Sequence, residues 1–130
     1  MDDMVEVGRT LKLAVRRLTQ AMGSDSQIAS VQRLQALFLK LHAIVSSEGG
    51  KNLVRNVSHI LAILGEAEEN PALSSERVAE ARSFYRSMSV VKGEFAEFHI
   101  WRDDFNERLE LNQPLEAIRE SIWKEFESHV

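Results

Sequence analysis

Apolar residues recur at steps of three and four along almost the whole chain, and nowhere do they alternate with polar ones over the length of a strand. That period is the period of a helix face, so the spacing predicts an all-α chain. Its 130 residues fit one domain, 1–130, with a real core. Five helices follow from the stripes and their breaks, and the short loops between them make an antiparallel bundle.

The first helix runs from about Asp3 to Met22, with Met4, Val7, Leu11, Ala14, Leu18 and Met22 as its apolar stripe. Gly23-Ser24-Asp25-Ser26 then supplies stop and N-cap chemistry. The second covers about Ser26 to Ser47, with Val31, Leu34, Leu37, Phe38, Leu41 and Val45 turned inward, and Gly49-Gly50 ends it. The third covers about Lys51 to Glu68 through Leu53, Val57, Ile60, Leu61 and Leu64. After Asn70-Pro71, Ser74 is placed to cap a fourth helix, and Leu73 to pack on Val78.

The fourth helix dominates the expectation. Ala81, Phe84, Met88, Val91, Phe95, Phe98, Arg102, Phe105 and Leu109 keep the alternating step across Gly93. One long helix over about 74–111 follows, with Gly93 the place for a bend; two helices hinged at Gly93 are the alternative. At 1.5 Å per residue such a helix reaches about 55 Å, beyond the roughly 22–33 Å of the others. Six of the nine aromatic residues fall between Phe84 and Phe105. An overhanging aromatic seam needs a partner, most simply the same helix of a second copy. Arg102 and Asn112, polar at seam positions, would then help to set register. Gln113-Pro114 is the expected break before a fifth helix carrying Leu115, Ile118, Ile122 and Phe126.

Charge narrows the partners. Residues 1–65 hold eight Lys/Arg against five Asp/Glu, and residues 66–130 hold eight against fifteen. The net charge of −4 argues against nucleic acid, whose affinity rests on phosphate neutralisation. Arg9, Lys12 and Arg16 form a basic stripe opposite the apolar stripe of the first helix, suited to an acidic surface or to solvent. There is no cysteine, which suits a reducing compartment, and no apolar run long enough to span a membrane. The acidic Met1-Asp2-Asp3 start is unlike a secretory signal, so a cytoplasmic location is expected.

Motifs for chemistry are scarce. No Glu-x-x-His or His-x-x-x-His pair occurs, and no phosphate loop or nucleophile elbow. His99 and Asp103 are four apart, and Glu94, Glu97, Glu107 and Glu110 make two Glu-x-x-Glu pairs. Read on one helix, those pairs sit about 20 Å apart and cannot share an ion. No metal and no cofactor is expected.

Arg55-Asn56-Val57-Ser58-His59 resembles the Arg-Asn-x-x-x-His signature of the small all-helical HEPN domains, one residue short of it. The resemblance covers five residues. It implies a ribonuclease or nucleic-acid-associated module in which Arg55 and His59 would be catalytic, and it is the alternative function. The leading expectation is a non-catalytic helical interaction protein (adaptor, assembly factor or protein inhibitor), homodimeric through the fourth helix. Its interface would comprise Phe95, Phe98, Ile100, Trp101 and Phe105.

Overall fold

The computed structural model describes residues 26–90 and 95–128. The expected first helix, with Arg9, Lys12 and Arg16, lies outside the described residues. Among the described residues there are four α-helices and no strand. They are α1 (residues 26–48), α2 (Lys51–Glu69), α3 (Ser74–Val90) and α4 (Phe105–Glu127), with a short 3₁₀ turn at Pro71–Leu73. No described helix is long and apolar enough to cross a membrane.

The helices run up, down, up, down. Gln27 reaches Ser75 and Gln32 reaches Glu68, while Arg33 pairs with Glu125 at 2.9 Å. These contacts gather the starts of α1 and α3 with the ends of α2 and α4. At the other end Arg102, just before α4, pairs with Glu48, the last residue of α1. Between these ends His42 meets Ser58 and His59 stacks on Phe84, so each hairpin keeps its register along its length.

The tight α1–α2 turn needs glycine at position 49. Its N–H closes on the Val45 carbonyl at 2.8 Å, and a Cβ there would lie 2.9 Å from that same oxygen.

Both hairpin-forming helices bury the stripes their sequences show. Val31, Leu34, Phe38, Leu41 and Val45 of α1 are buried, as are Leu53, Val57, Ile60 and Leu64 of α2; Leu37 and Leu61 of the expected stripes are only partly buried, and Leu39 is 59% exposed off the stripe. The centre is aromatic. Tyr85 is fully buried, and its ring lies 5.4 Å from Phe38, 5.0 Å from Trp123, 5.6 Å from Phe95 and 5.9 Å from Phe126. Edge-on and tilted pairs of this kind add to the area they bury. The inward stripe of α3 is therefore Ser74, Val78, Ala81 and Tyr85. Phe84, expected on the seam, is only partly buried and lies over His59 instead.

The long fourth helix over 74–111 is not formed. Helix α3 is described as far as Val90, residues 95–97 make a turn, and α4 starts only at Phe105. The physical reason is a helix start hidden in the apolar repeat. The Asp104 carboxylate accepts from the Glu107 N–H at 3.0 Å, an aspartate N-cap with glutamate at the third helical position. The described 17 and 23 residues of α3 and α4 span about 26 and 35 Å, so no described helix outruns the bundle.

Two smaller expectations are corrected with it. Pro114 sits inside α4, which continues from Phe105 to Glu127, so no fifth helix starts there. Proline removes the bond to the carbonyl four residues back, but Pro114 and Glu110 are both exposed, where water can take that acceptor. Ser74 does not cap. It is helical and 1% exposed, and its hydroxyl has no hydrogen-bond partner.

Candidate protein interface

The connector over 95–104 decides which of the window's aromatics face inward. It has no helical ladder of its own, so side chains of α4 supply its backbone partners. Arg119 donates to the Phe95 carbonyl at 2.9 Å and to the Phe98 carbonyl at 2.6 Å, with its guanidinium 4.5 Å from the Phe95 ring. Asn112 closes a two-way bridge with Ile100. Its oxygen accepts from the Ile100 N–H at 2.7 Å, and its nitrogen donates to the Ile100 carbonyl at 2.8 Å. Bonds to a charged donor are the stronger class, so Arg119 is the firmer anchor.

Arg102 fixes the connector to the far helix. Its guanidinium donates to both Glu48 oxygens, at 2.6 and 3.1 Å, and also to the Trp101 carbonyl at 2.7 Å. The hydrogen bond from Arg102 holds the Glu48 carboxyl below its ordinary range, and the same contact raises the guanidinium. So Arg102 and Asn112, polar at expected seam positions, brace the fold of their own chain.

These braces divide the expected interface residues. Phe95, Phe98 and Ile100 are buried, at 1%, 9% and 5% exposure. Trp101 and Phe105 point outward at 61% and 59%, joined by Leu109 at 49%. Phe105 and Leu109 are one turn apart on α4, on one face. Arg108 lies beneath the patch, with its guanidinium 4.3 Å from the Trp101 ring and 5.4 Å from Phe105. Such stacking holds an exposed indole in one orientation and is worth about 0.5–1 kcal/mol at a surface site. The exposed area of the three side chains is roughly 350 Å², within the range of functional patches on monomers.

Arg55 and His59 are exposed on α2, one turn apart, and the His59 ring is stacked on Phe84 at 4.8 Å. His42 lies between Ser58 at 3.1 Å and Ser46 at 3.4 Å. His99 faces the Glu97 carbonyl, within its own turn. Glu97 lies in the connector turn while Glu107 and Glu110 lie together on α4, so the two pairs do not sit on one helix; Glu94 is outside the described residues. Among the described residues no group of three or more histidines and carboxylates could hold a metal.

A cleft of about 160 Å³ opens beside the core, lined by Tyr85, Ser89, Phe95, Ala96, Arg119 and Trp123. Burial pushes the Tyr85 phenol up to about 12, with the nearby Ser89 hydroxyl and Arg119 guanidinium offsetting only part of that.

Leu109 and Arg108 complete the exposed face, and the sequence pattern does not single them out. Leu109 reads as one more seam residue, and Arg108 as one of many surface cations. The signal that could have found them is Asp104-x-x-Glu107, which restarts the helix at Phe105 and turns that residue and Leu109 off the core side. Comparison with protein-family models, characterised proteins and solved structures finds no match for this chain.

Proposed function

We propose that this chain is a non-catalytic helical protein-interaction module that docks through Trp101, Phe105 and Leu109. The observation carrying this reading is an exposed aromatic and aliphatic face on a braced support. The connector behind it is held by Arg119, Asn112 and Arg102, and the indole by Arg108. A side chain already fixed in its binding orientation loses less freedom on docking, and tryptophan is enriched among residues that dominate binding energy. Self-association, expected from the sequence, is the case in which the partner is a second copy.

The test is a photo-crosslinking residue in place of Phe105, in the cell that makes the protein. A second variant carries it in place of Val90, also an exposed apolar position at 69%. Capture of a protein from 105 but not 90, lost when Leu109→Asp is added, is the expected result. Equal capture from both sites, or none from either, would overturn the reading.

A further inference from the structure

The docking face has a sign. Asp103, Asp104, Glu107 and Glu110 are all exposed within three residues of Trp101, Phe105 or Leu109 along the chain. Of the cations in the same stretch, Arg102 pairs with Glu48 and, at 3.6 Å, with Glu107, and Arg108 lies on the rings. Asp103, Asp104 and Glu110 are therefore left near an apolar patch that offers one guanidinium in return. We propose that the occupant of this face is a basic amphipathic helix of a partner protein, with an apolar ridge flanked by lysine or arginine. This rests on reading the face as a docking surface.

Charge separates this occupant from the others. A two-fold contact sets a patch against its own copy, so these three carboxylates would meet three more. Packed helices lie about 8–10 Å apart, close to the roughly 8 Å screening length in physiological salt, so part of that repulsion survives. An anionic lipid surface or a nucleic acid meets the same objection. A basic helix meets attraction, which steers its approach and rejects wrong partners. Size agrees. The patch of roughly 350 Å² is well short of the roughly 800 Å² per partner of a stable interface between folded proteins. It is the scale of one helix laying residues spaced three or four apart against Trp101, Phe105 and Leu109.

The test uses the full chain and two fluorescently labelled synthetic helices of about 18 residues with the same leucine ridge. One carries lysine on its flanks and the other glutamate, and binding is read by anisotropy at low salt. The lysine helix should bind at least about ten-fold more tightly than the glutamate helix, and weaken as salt rises. Phe105→Asp with Leu109→Asp should abolish its binding. Asp103→Lys, Glu107→Lys and Glu110→Lys together should invert the preference; Asp104 is left because it caps α4.

Equal binding of the two helices, or preference for glutamate, would overturn the basic partner while leaving the docking face standing. Binding of neither would overturn the partner class, and crosslinking at Phe105 then decides whether the docking reading falls with it. A dimer in sedimentation that Leu109→Asp dissociates would assign the face to a second copy. The chain's own Arg9, Lys12 and Arg16 carry similar chemistry. If reversing all three to glutamate tightens the lysine helix, the face belongs to that stripe and the proposal is overturned.

Discussion

Replacing Asn112 with alanine removes three hydrogen bonds at once: two to the Ile100 backbone and one to the Arg108 carbonyl at 2.7 Å. Ile100 is 5% exposed, so its N–H and carbonyl lose their partners largely out of reach of water. An orphaned buried polar group costs about 1–3 kcal/mol, and two such groups with partial hydration give about 2–4 kcal/mol. The connector could instead lift off and hydrate them. That would expose Phe95, Phe98 and Ile100 at about 1.5–3 kcal/mol each, roughly 4.5–9 kcal/mol together. Lifting off is the costlier route, so the connector should stay docked while global stability falls by about 2–4 kcal/mol. Urea unfolding followed by circular dichroism checks it. The midpoint should drop with the slope unchanged, and thermal unfolding should fall by about 3–5 °C for each kcal/mol. Asn112→Asp keeps an oxygen for the Ile100 N–H but sets a carboxylate against the Ile100 carbonyl, and should cost at least as much. A loss below about 0.5 kcal/mol would refute the reasoning. So would normal stability with rapid trypsin cleavage after Arg102, because that result means the connector lifts off first.

Three further outcomes test the same structure. Phe95→Ala should cost about 3–5 kcal/mol and Phe105→Ala less than about 1 kcal/mol, since one ring is in the core and the other is not; parallel urea titrations compare them. Ser74→Ala should be neutral or stabilising by up to about 1 kcal/mol, because it removes a buried hydroxyl without a partner, and a lower melting temperature would contradict that. Tyr85, the chain's one tyrosine, should titrate at about 12 by absorbance near 295 nm. Its folded value is above the unfolded value near 10, so its contribution is full below pH 10 and lost as pH rises from there through 12. Tyr85→Phe should remove that alkaline loss.

The two halves of the fold differ in how far the sequence shows them. In α1 and α2 each helix turns a single stripe into the core, and Gly49-Gly50 marks the turn, so residues such as Leu34, Phe38, Val57 and Ile60 read directly as core. In the second half, three elements share an apolar spacing that runs on in phase. The step from Phe95 to Phe98 is helical in sequence, yet it belongs to a turn in which the Phe98 N–H meets the Phe95 carbonyl at 3.2 Å. The Asp104 cap restarts the helix locally, but the partners that hold the turn lie further along the chain, in the hydrogen bonds from Asn112 and Arg119, and no local pattern reports those. The interface shows the same limit. The aromatic concentration is legible, but which rings face out depends on the connector's path.

Register explains why the chain turns there. Gln27 with Ser75 and Phe38 with Tyr85 set α3 beside α1 at an offset of about 47 to 48 positions, which brings Glu48, the end of α1, level with position 95 or 96. A helix continuing straight would carry Phe98, Trp101 and Phe105 about 3 to 15 Å past the last turn of α1, into water. Turning back buries Phe95, Phe98 and Ile100, worth roughly 4.5–9 kcal/mol. Against that stands the loss of about ten residues of helical ladder, where each exchanged hydrogen bond is worth about 0.5–1.5 kcal/mol net. Arg119, Asn112 and the Asp104 cap restore five of those bonds, which tips the balance toward the turn. The fold-back thus hides every aromatic side chain within its reach and stops at Trp101. Phe105 and Leu109, on α4 beyond the connector's last residue, stay exposed at 59% and 49%.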